Sequence, residues 1–218
     1  MPASDRPAIS RATPRRLTDK GAATRERILA ATVERIVESG FAAMTIESVM
    51  AKAGLSRGSV LHQFPTRLDL AIATADRTMH AVIEAAREQA SRIADPFERL
   101  AGYAQIVWDT HAMPEGLALT DILQAARWDT ELLAAIQPVA AQVEAEVARE
   151  LLALATAGGL ADPESMVARG WLLVSSARGL IIEYRLGSNR TVINAAIEEM
   201  KQSHRRYCET HARKNSHA

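Results

Sequence analysis

Hydrophobic positions recur every three or four residues along most of the chain, and no segment sustains strand alternation. The first period starts near Ala23. Ile28, Leu29, Thr32, Val33, Ile36 and Val37 share a face, and Gly40 stands where a C-terminal helix stop belongs. Thr45 reads as the N-cap of a short helix with Ile46, Val49 and Met50 on its apolar face, ended by Gly54. Ser56 caps a second short helix containing Val60 and Leu61, which Pro65 breaks. Thr66 caps a long helix with Leu68, Ile72, Ala75, Met79, Val82, Ile83 and Ala86 inward. Asp95-Pro96 opens a helix over about 96–111. Others follow at about 115–126, 129–156, 163–186 and 189–212. Pro138 must kink or restart the third of these five, and GGLADP at 158–163 is a loop. Residues 1–22 carry three prolines and no period, and read as a disordered basic arm. The pattern predicts an all-α chain of about nine helices.

Composition narrows the setting. Hydrophobic residues make up 48% and charged residues 24%, ordinary for a soluble globular chain. Aromatics are 4%, so the core must be mostly Ala, Leu, Ile and Val. The most apolar run, Met166 to Ile182, is interrupted by Arg169 and Arg178 and does not reach membrane length. The N-terminus has no apolar signal region, and the single cysteine, Cys208, has no intrachain partner. Both fit a reducing, cytoplasmic setting. The formal net charge of zero would argue against a nucleic-acid binder, yet it is a cancellation. Residues 1–67 hold 11 Lys/Arg against 6 Asp/Glu, a net of +5; the rest of the chain holds 15 against 20.

The most informative stretch is 24–70. Two short helices separated by Ala53-Gly54-Leu55 form a helix-turn-helix, with Gly54 for the tight turn and Leu55 as the apolar plug. The second helix is short, basic and polar at its start, as a helix entering a major groove should be. This stretch resembles the TetR family of transcriptional regulators. The matching residues are Arg25, Ile28, Leu29 and Ala31, then Gly40-Phe41, Thr45-Ile46, Val49, Ala53-Gly54-Leu55-Ser56, Gly58, Phe64 and Leu70. The resemblance implies an N-terminal helix-turn-helix domain over 23–68 and a helical ligand-binding and dimerisation domain over 69–218.

Geometry and resemblance together nominate Arg57, Ser59, His62 and Gln63 for the DNA surface. Arg57 suits guanine or phosphate, and Gln63 an adenine edge or phosphate. Gly58 lets the backbone approach the duplex. Thr45, Ser56 and Thr66 sit at helix N-termini, which attract phosphate, although each caps its helix in any case. Arg67 stands where the family usually has a phosphate-binding lysine. Leu61 replaces a tyrosine that commonly reaches phosphate, so one contact per subunit is lost or supplied by His62. Arg11, Arg15, Arg16 and Lys20 of the arm could reach the minor groove or flanking phosphates, or remain solvated.

In the second domain, the apolar helix near 166–184 and the stripe along 192–211 are implied by the resemblance to pair with their copies. Trp171, Val174, Gly179, Ile182, Ile193, Ile197, Met200 and His204 are the expected homodimer interface. Two heads reading a palindrome need a spacing of about 34–36 Å. Phe97, Tyr103, Trp108, His111, Met113, Gln124, Arg127 and Trp128 are candidates for an apolar pocket holding an unknown small-molecule effector, with ordinary core packing as the alternative for its aromatics. His204, Cys208 and His211 have a spacing that could hold a metal, but they lie on the apolar stripe, and packing is the preferred reading. No phosphate loop, paired carboxylates or Ser/His/Asp set is visible, so no catalytic residue and no cofactor is expected. The expectation is a ligand-released repressor without enzymatic activity. The alternatives are a DNA-binding activator or architectural protein without ligand and, less favoured, an all-α enzyme or carrier.

Overall fold

The computed structural model describes residues 19–187 and 190–213. Among them are ten α-helices and no strand beyond one isolated bridge between Leu160 and Ala212. The helices are α1 (Asp19–Ser39), α2 (Ile46–Ala53), α3 (Arg57–Gln63), α4 (Arg67–Ser91), α5 (Pro96–Ala101), α6 (Tyr103–Ala112), α7 (Pro114–Ala126), α8 (Thr130–Ala157), α9 (Ser165–Leu186) and α10 (Thr191–His211).

Three boundaries differ from expectation. The helix expected near Ala23 begins at Asp19, so Lys20 lies in α1, where its carbonyl accepts the Thr24 hydroxyl at 2.8 Å. Arg11, Arg15 and Arg16 lie outside the described residues. The segment 96–111 is two helices, because the chain turns at Gly102, whose N–H still reaches the Glu98 carbonyl at 2.8 Å. By contrast, α8 runs through Pro138 without restarting. Proline removes one backbone donor, but Leu132 and Ile136 before it and Leu151 and Ala155 after it are buried and anchor both halves.

Local signals set the head. Gly40 and Gly54 adopt positive φ (79° and 61°), which a side chain would strain, and they end α1 and α2 where the sequence expects stops. Thr45 and Thr66 each form a reciprocal capping box, with Ser48 and Asp69 respectively. Ile28, Val33, Ile36, Met44, Val49, Val60, Phe64 and Leu70 form the buried centre of α1–α4. The same cluster continues into Leu119, Ile122 and Ala126 of α7 and Leu132 and Ile136 of α8. Head and body therefore share one core across residue 68. Two smaller clusters, one around Leu100, Leu151, Leu160 and Cys208 and one around Val107, Leu173 and Ala177, complete the body.

Candidate nucleic-acid interface and ligand cavity

The residues expected at the DNA surface stand at the N-cap of α2 and between the N-cap of α3 and the first residue of α4. Thr45, Ser56, Arg57, Gly58, His62 and Thr66 are exposed; Ser59, Gln63 and Arg67 are half-buried. Val60 and Phe64 turn inward and fix α3 on the core, with the Arg25 guanidinium 4.4 Å from the Phe64 ring centre. A methyl group built on Gly58 would meet nothing within 4 Å, so its flank is open to an approaching backbone. Leu61 is half-buried against the core, so the position that departs from the family pattern contributes packing.

Electrostatics divide this set. Arg57 is paired with Glu47 of α2, whose carboxyl is held below its usual range by a backbone hydrogen bond first and Arg57 second. Arg67 is engaged inward. Its Nε donates to the Met44 carbonyl at 2.6 Å, its Nη2 to the Phe41 carbonyl at 3.0 Å, and its guanidinium lies over the Phe41 ring. It clamps the 3-10 turn Phe41–Ala43 that precedes α2. The Thr66 hydroxyl is also committed: it donates to Asp69 Oδ2 at 2.8 Å and accepts from the Asp69 N–H at 3.0 Å.

The body encloses a cavity of about 330 Å³. Its walls are α4 (Met79, Val82, Ile83), α6 (Tyr103, Val107, His111), α8 (Val143, Val147, Leu151) and α9 (Trp171, Val174, Arg178), closed by Leu119 and Leu123 of α7. Of the pocket residues expected from sequence, Tyr103 and His111 line it. The other six do not. Phe97 packs on the Leu100–Leu151 cluster, and Trp108 packs beside Leu173 and Ala177 with its ring edge-on to Tyr184. Met113 caps α7, and Gln124, Arg127 and Trp128 are exposed, Trp128 at 84%. The reasons are local: Phe97 belongs to a separate cluster with Leu151, Trp108 faces α9, and Met113, Arg127 and Trp128 stand beyond the helix ends. The walls contributed by α4, α8 and α9 were missed, although Arg178 inside an apolar helix was a visible signal.

Polar groups in the cavity are few. His111 is driven down to about 4 by burial, with Arg178 adding repulsion, and is therefore neutral. Its Nδ1 faces the Val107 carbonyl at 2.9 Å and must carry the proton there, leaving Nε2 as an acceptor. Burial, with Glu150 second, pushes Tyr103 up to about 12. Burial also holds Arg178 below its usual range, and its Nε has no hydrogen-bond partner. Towards solvent, Arg87 of α4 is paired with Glu84, Glu146 and Glu150.

The expected dimer residues separate into two groups. Gly179 and Ile182 are exposed, and Ile193 and Met200 half-buried. Trp171 and Val174 line the cavity instead, while Ile197 and His204 are buried within their own chain. The His204 Nε2 donates to the Leu100 carbonyl at 2.9 Å. Gly170 also serves the interior: a methyl group there would lie 2.4 Å from Leu151 Cδ1. Large exposed apolar side chains at Leu172, Ile182, Leu186 and Val192 mark the outward face of α9 and α10. Of the metal-spaced trio, His204 and Cys208 are buried, whereas His211 is exposed and stacks on Tyr207 at 4.3 Å. No cluster of three or more potential metal ligands occurs among the described residues, nor is any of their helices long and apolar enough to cross a membrane.

Comparison with known proteins agrees with this architecture. Residues 28–74 match the family model for bacterial regulatory proteins of the tetR family. The HTH-type transcriptional regulator CymR of Pseudomonas putida is 26% identical over 174 residues, which is 78% of this chain and 84% of CymR. An uncharacterized HTH-type transcriptional regulator of Mycobacterium tuberculosis is 28% identical over 121 residues, covering 56% of this chain and 62% of that protein. Among solved structures, a transcriptional regulator from Saccharomonospora viridis in complex with choline aligns with TM-score 0.66 at 17% identity, over 88% of this chain and 98% of that one. The multidrug binding protein EbrR complexed with imidazole aligns with TM-score 0.55 at 22% identity, over 83% and 89%.

Proposed function

We propose that this chain, a transcriptional regulator with the helix-turn-helix domain of the TetR family, is a cytoplasmic homodimeric repressor that a small molecule releases from a palindromic operator. The observation that carries this reading is the double position of α4. Its N-cap, Thr66, follows α3 after only Phe64 and Pro65, while Met79, Val82, Ile83 and Ala86 further along form a cavity wall. A ligand that moves this helix moves the reading head, and in a dimer it changes the spacing of two heads. Two structural neighbours are complexed with small molecules, choline and imidazole, which supports a small-molecule ligand for this chain as well.

On DNA, α3 enters the major groove. Arg57, Ser59, His62 and Gln63 supply base and phosphate contacts, and Gly58 admits the backbone. Thr45, Ser56 and Thr66 act through the helix N-termini that they cap. Arg67 acts by holding the turn before α2. The outward face of α9 and α10, with Leu172, Gly179, Ile182, Val192 and Met200, joins the two subunits.

A gel-shift series on palindromic fragments of the neighbouring promoter tests the reading, with salt varied and cell extract added. A shift that weakens with salt and is released by extract is the expected result. Absence of a salt-sensitive shift on any fragment would sink it. A shift that no extract changes would favour a DNA-binding protein without effector.

A further inference from the structure

The cavity has a polarity that its volume alone does not convey. Four buried side-chain atoms lack a hydrogen-bond partner among the described residues: Arg35 Nε, Arg169 Nε, Arg178 Nε and His204 Nδ1. Of these residues, Arg178 alone lines this cavity. Arg169, an earlier arginine of the same helix, places its guanidinium over the Tyr207 ring and donates to the Ser203 hydroxyl. No acid among the described residues pairs with Arg178.

A cation of this kind is costly to bury unless something compensates it. His111 lies near enough for Arg178 to disfavour its protonated form, and as a neutral imidazole it supplies no countercharge. Arg87, Glu144 and Glu150 also line the cavity, but Glu150 is held by Arg87 and Glu144 is exposed. The remaining walls are Val, Leu, Ile, Ala and Met side chains with Trp171, Tyr103 and Thr110, whose hydroxyl donates to the Ile106 carbonyl at 2.8 Å. The site thus offers an apolar chamber with a single uncompensated positive fork at one place.

We infer that the cavity binds an amphipathic organic monoanion, an apolar body carrying one carboxylate, with Arg178 as the group that receives the carboxylate. At liquid-like density 330 Å³ holds roughly a dozen non-hydrogen atoms. A guanidinium presents two parallel N–H donors that match the two oxygens of a carboxylate. One cation beside a neutral histidine balances one negative charge, so a dianionic phosphate would leave a buried charge unpaired. This inference rests on the ligand-binding half of the function proposed above and is independent of whether the ligand releases DNA.

Calorimetric titration of the full chain with matched probes tests it. An aromatic set is 4-phenylbutyrate, 4-phenylbutan-1-ol and 4-phenylbutylamine; an aliphatic set is octanoate, 1-octanol and octylamine. The expected result is that at least one carboxylate binds about tenfold or more tightly than its alcohol and amine, the better set telling whether the natural anion is aromatic or aliphatic. Arg178→Met should erase that preference while still binding the alcohol, and Arg178→Lys should restore part of it, with circular dichroism confirming the fold of each. Preference for an amine, or a carboxylate preference that survives in Arg178→Met, would overturn the assignment. Failure of every probe to bind a protein that still shifts DNA would also overturn it and leave the DNA-binding reading intact. Loss of the DNA shift with carboxylate preference kept would count against that reading alone.

Discussion

Arg67 in the head and Arg178 in the body occupy opposite electrostatic situations. Both are long cations on helices, half-buried, and adjacent to aromatic or apolar surface. Arg67 has its donors on two backbone carbonyls and its face on the Phe41 ring. Arg178 has a buried Nε with no acceptor. The head is thus internally satisfied: its helix starts are boxed, its turn is clamped, and α3 is pinned by Val60 and Phe64. The body leaves a chamber and an unanswered charge. Under the proposed function, the head gains from pre-formed geometry that fits a rigid duplex, and the body from a cost that a ligand relieves.

The largest expected effect concerns the body's histidines. Burial lowers both His111 and His204 to about 4 from an ordinary value of 6.5. The unfolded chain therefore binds more protons between those values, and stability falls as pH drops from about 6.5 towards 4. The combined loss should be roughly 3–6 kcal/mol. Urea midpoints across this range measure it, and a His111→Gln/His204→Gln double variant should flatten the slope. A flat profile in the parent chain would remove the contrast.

Next in size is the clamp. Arg67→Ala leaves the Met44 and Phe41 carbonyls without their partner and should destabilise the fold by about 2–4 kcal/mol. DNA affinity should fall even where the protein remains folded, because the turn ahead of α2 loosens. If chemical denaturation gives a loss below that for an ordinary surface arginine, the head is not held in this way.

Arg178→Met should act in the opposite direction. Replacing a half-buried cation whose Nε has no partner with an apolar chain of similar length should raise the stability of the ligand-free protein by about 1–3 kcal/mol. A lowered thermal midpoint would indicate that Arg178 is compensated in solution, contrary to the comparison with Arg67.

The smallest effect lies at the reading surface. Arg57→Gln should reduce the slope of log affinity against log salt by about 1, with little change in folding stability. Glu47→Gln, which frees Arg57 from its ion pair, should tighten DNA binding severalfold at low salt. Gel shifts over a salt series distinguish the two variants, and identical behaviour would mean that the Glu47–Arg57 pair has no bearing on DNA.

The head was legible in the sequence because its determinants are local. Capping residues, stop glycines and the three-to-four spacing of apolar positions act within a few residues of one another. The same signals fixed the all-α class and most helix ends. What failed concerned faces. An apolar helix such as α9 gives no phase by itself, so Trp171 and Val174 looked equivalent to Ile182, although the first two wall the cavity and the third faces solvent. Trp108 and Trp128 are both aromatic, yet side-chain type does not say which surface each meets: Trp108 packs beside Leu173 and Ala177, and Trp128 is exposed. The sequence by itself determined the helices, the reading head and the charge split that places a basic foot on an acidic body. The tertiary structure alone decided which apolar faces enclose a chamber, which meet solvent, and that Arg178 stands in the chamber unpaired. The physical reason is range: helix starts and stops depend on neighbours along the chain, whereas cavities and buried charges depend on side chains that α4, α6, α8 and α9 bring together from distant positions.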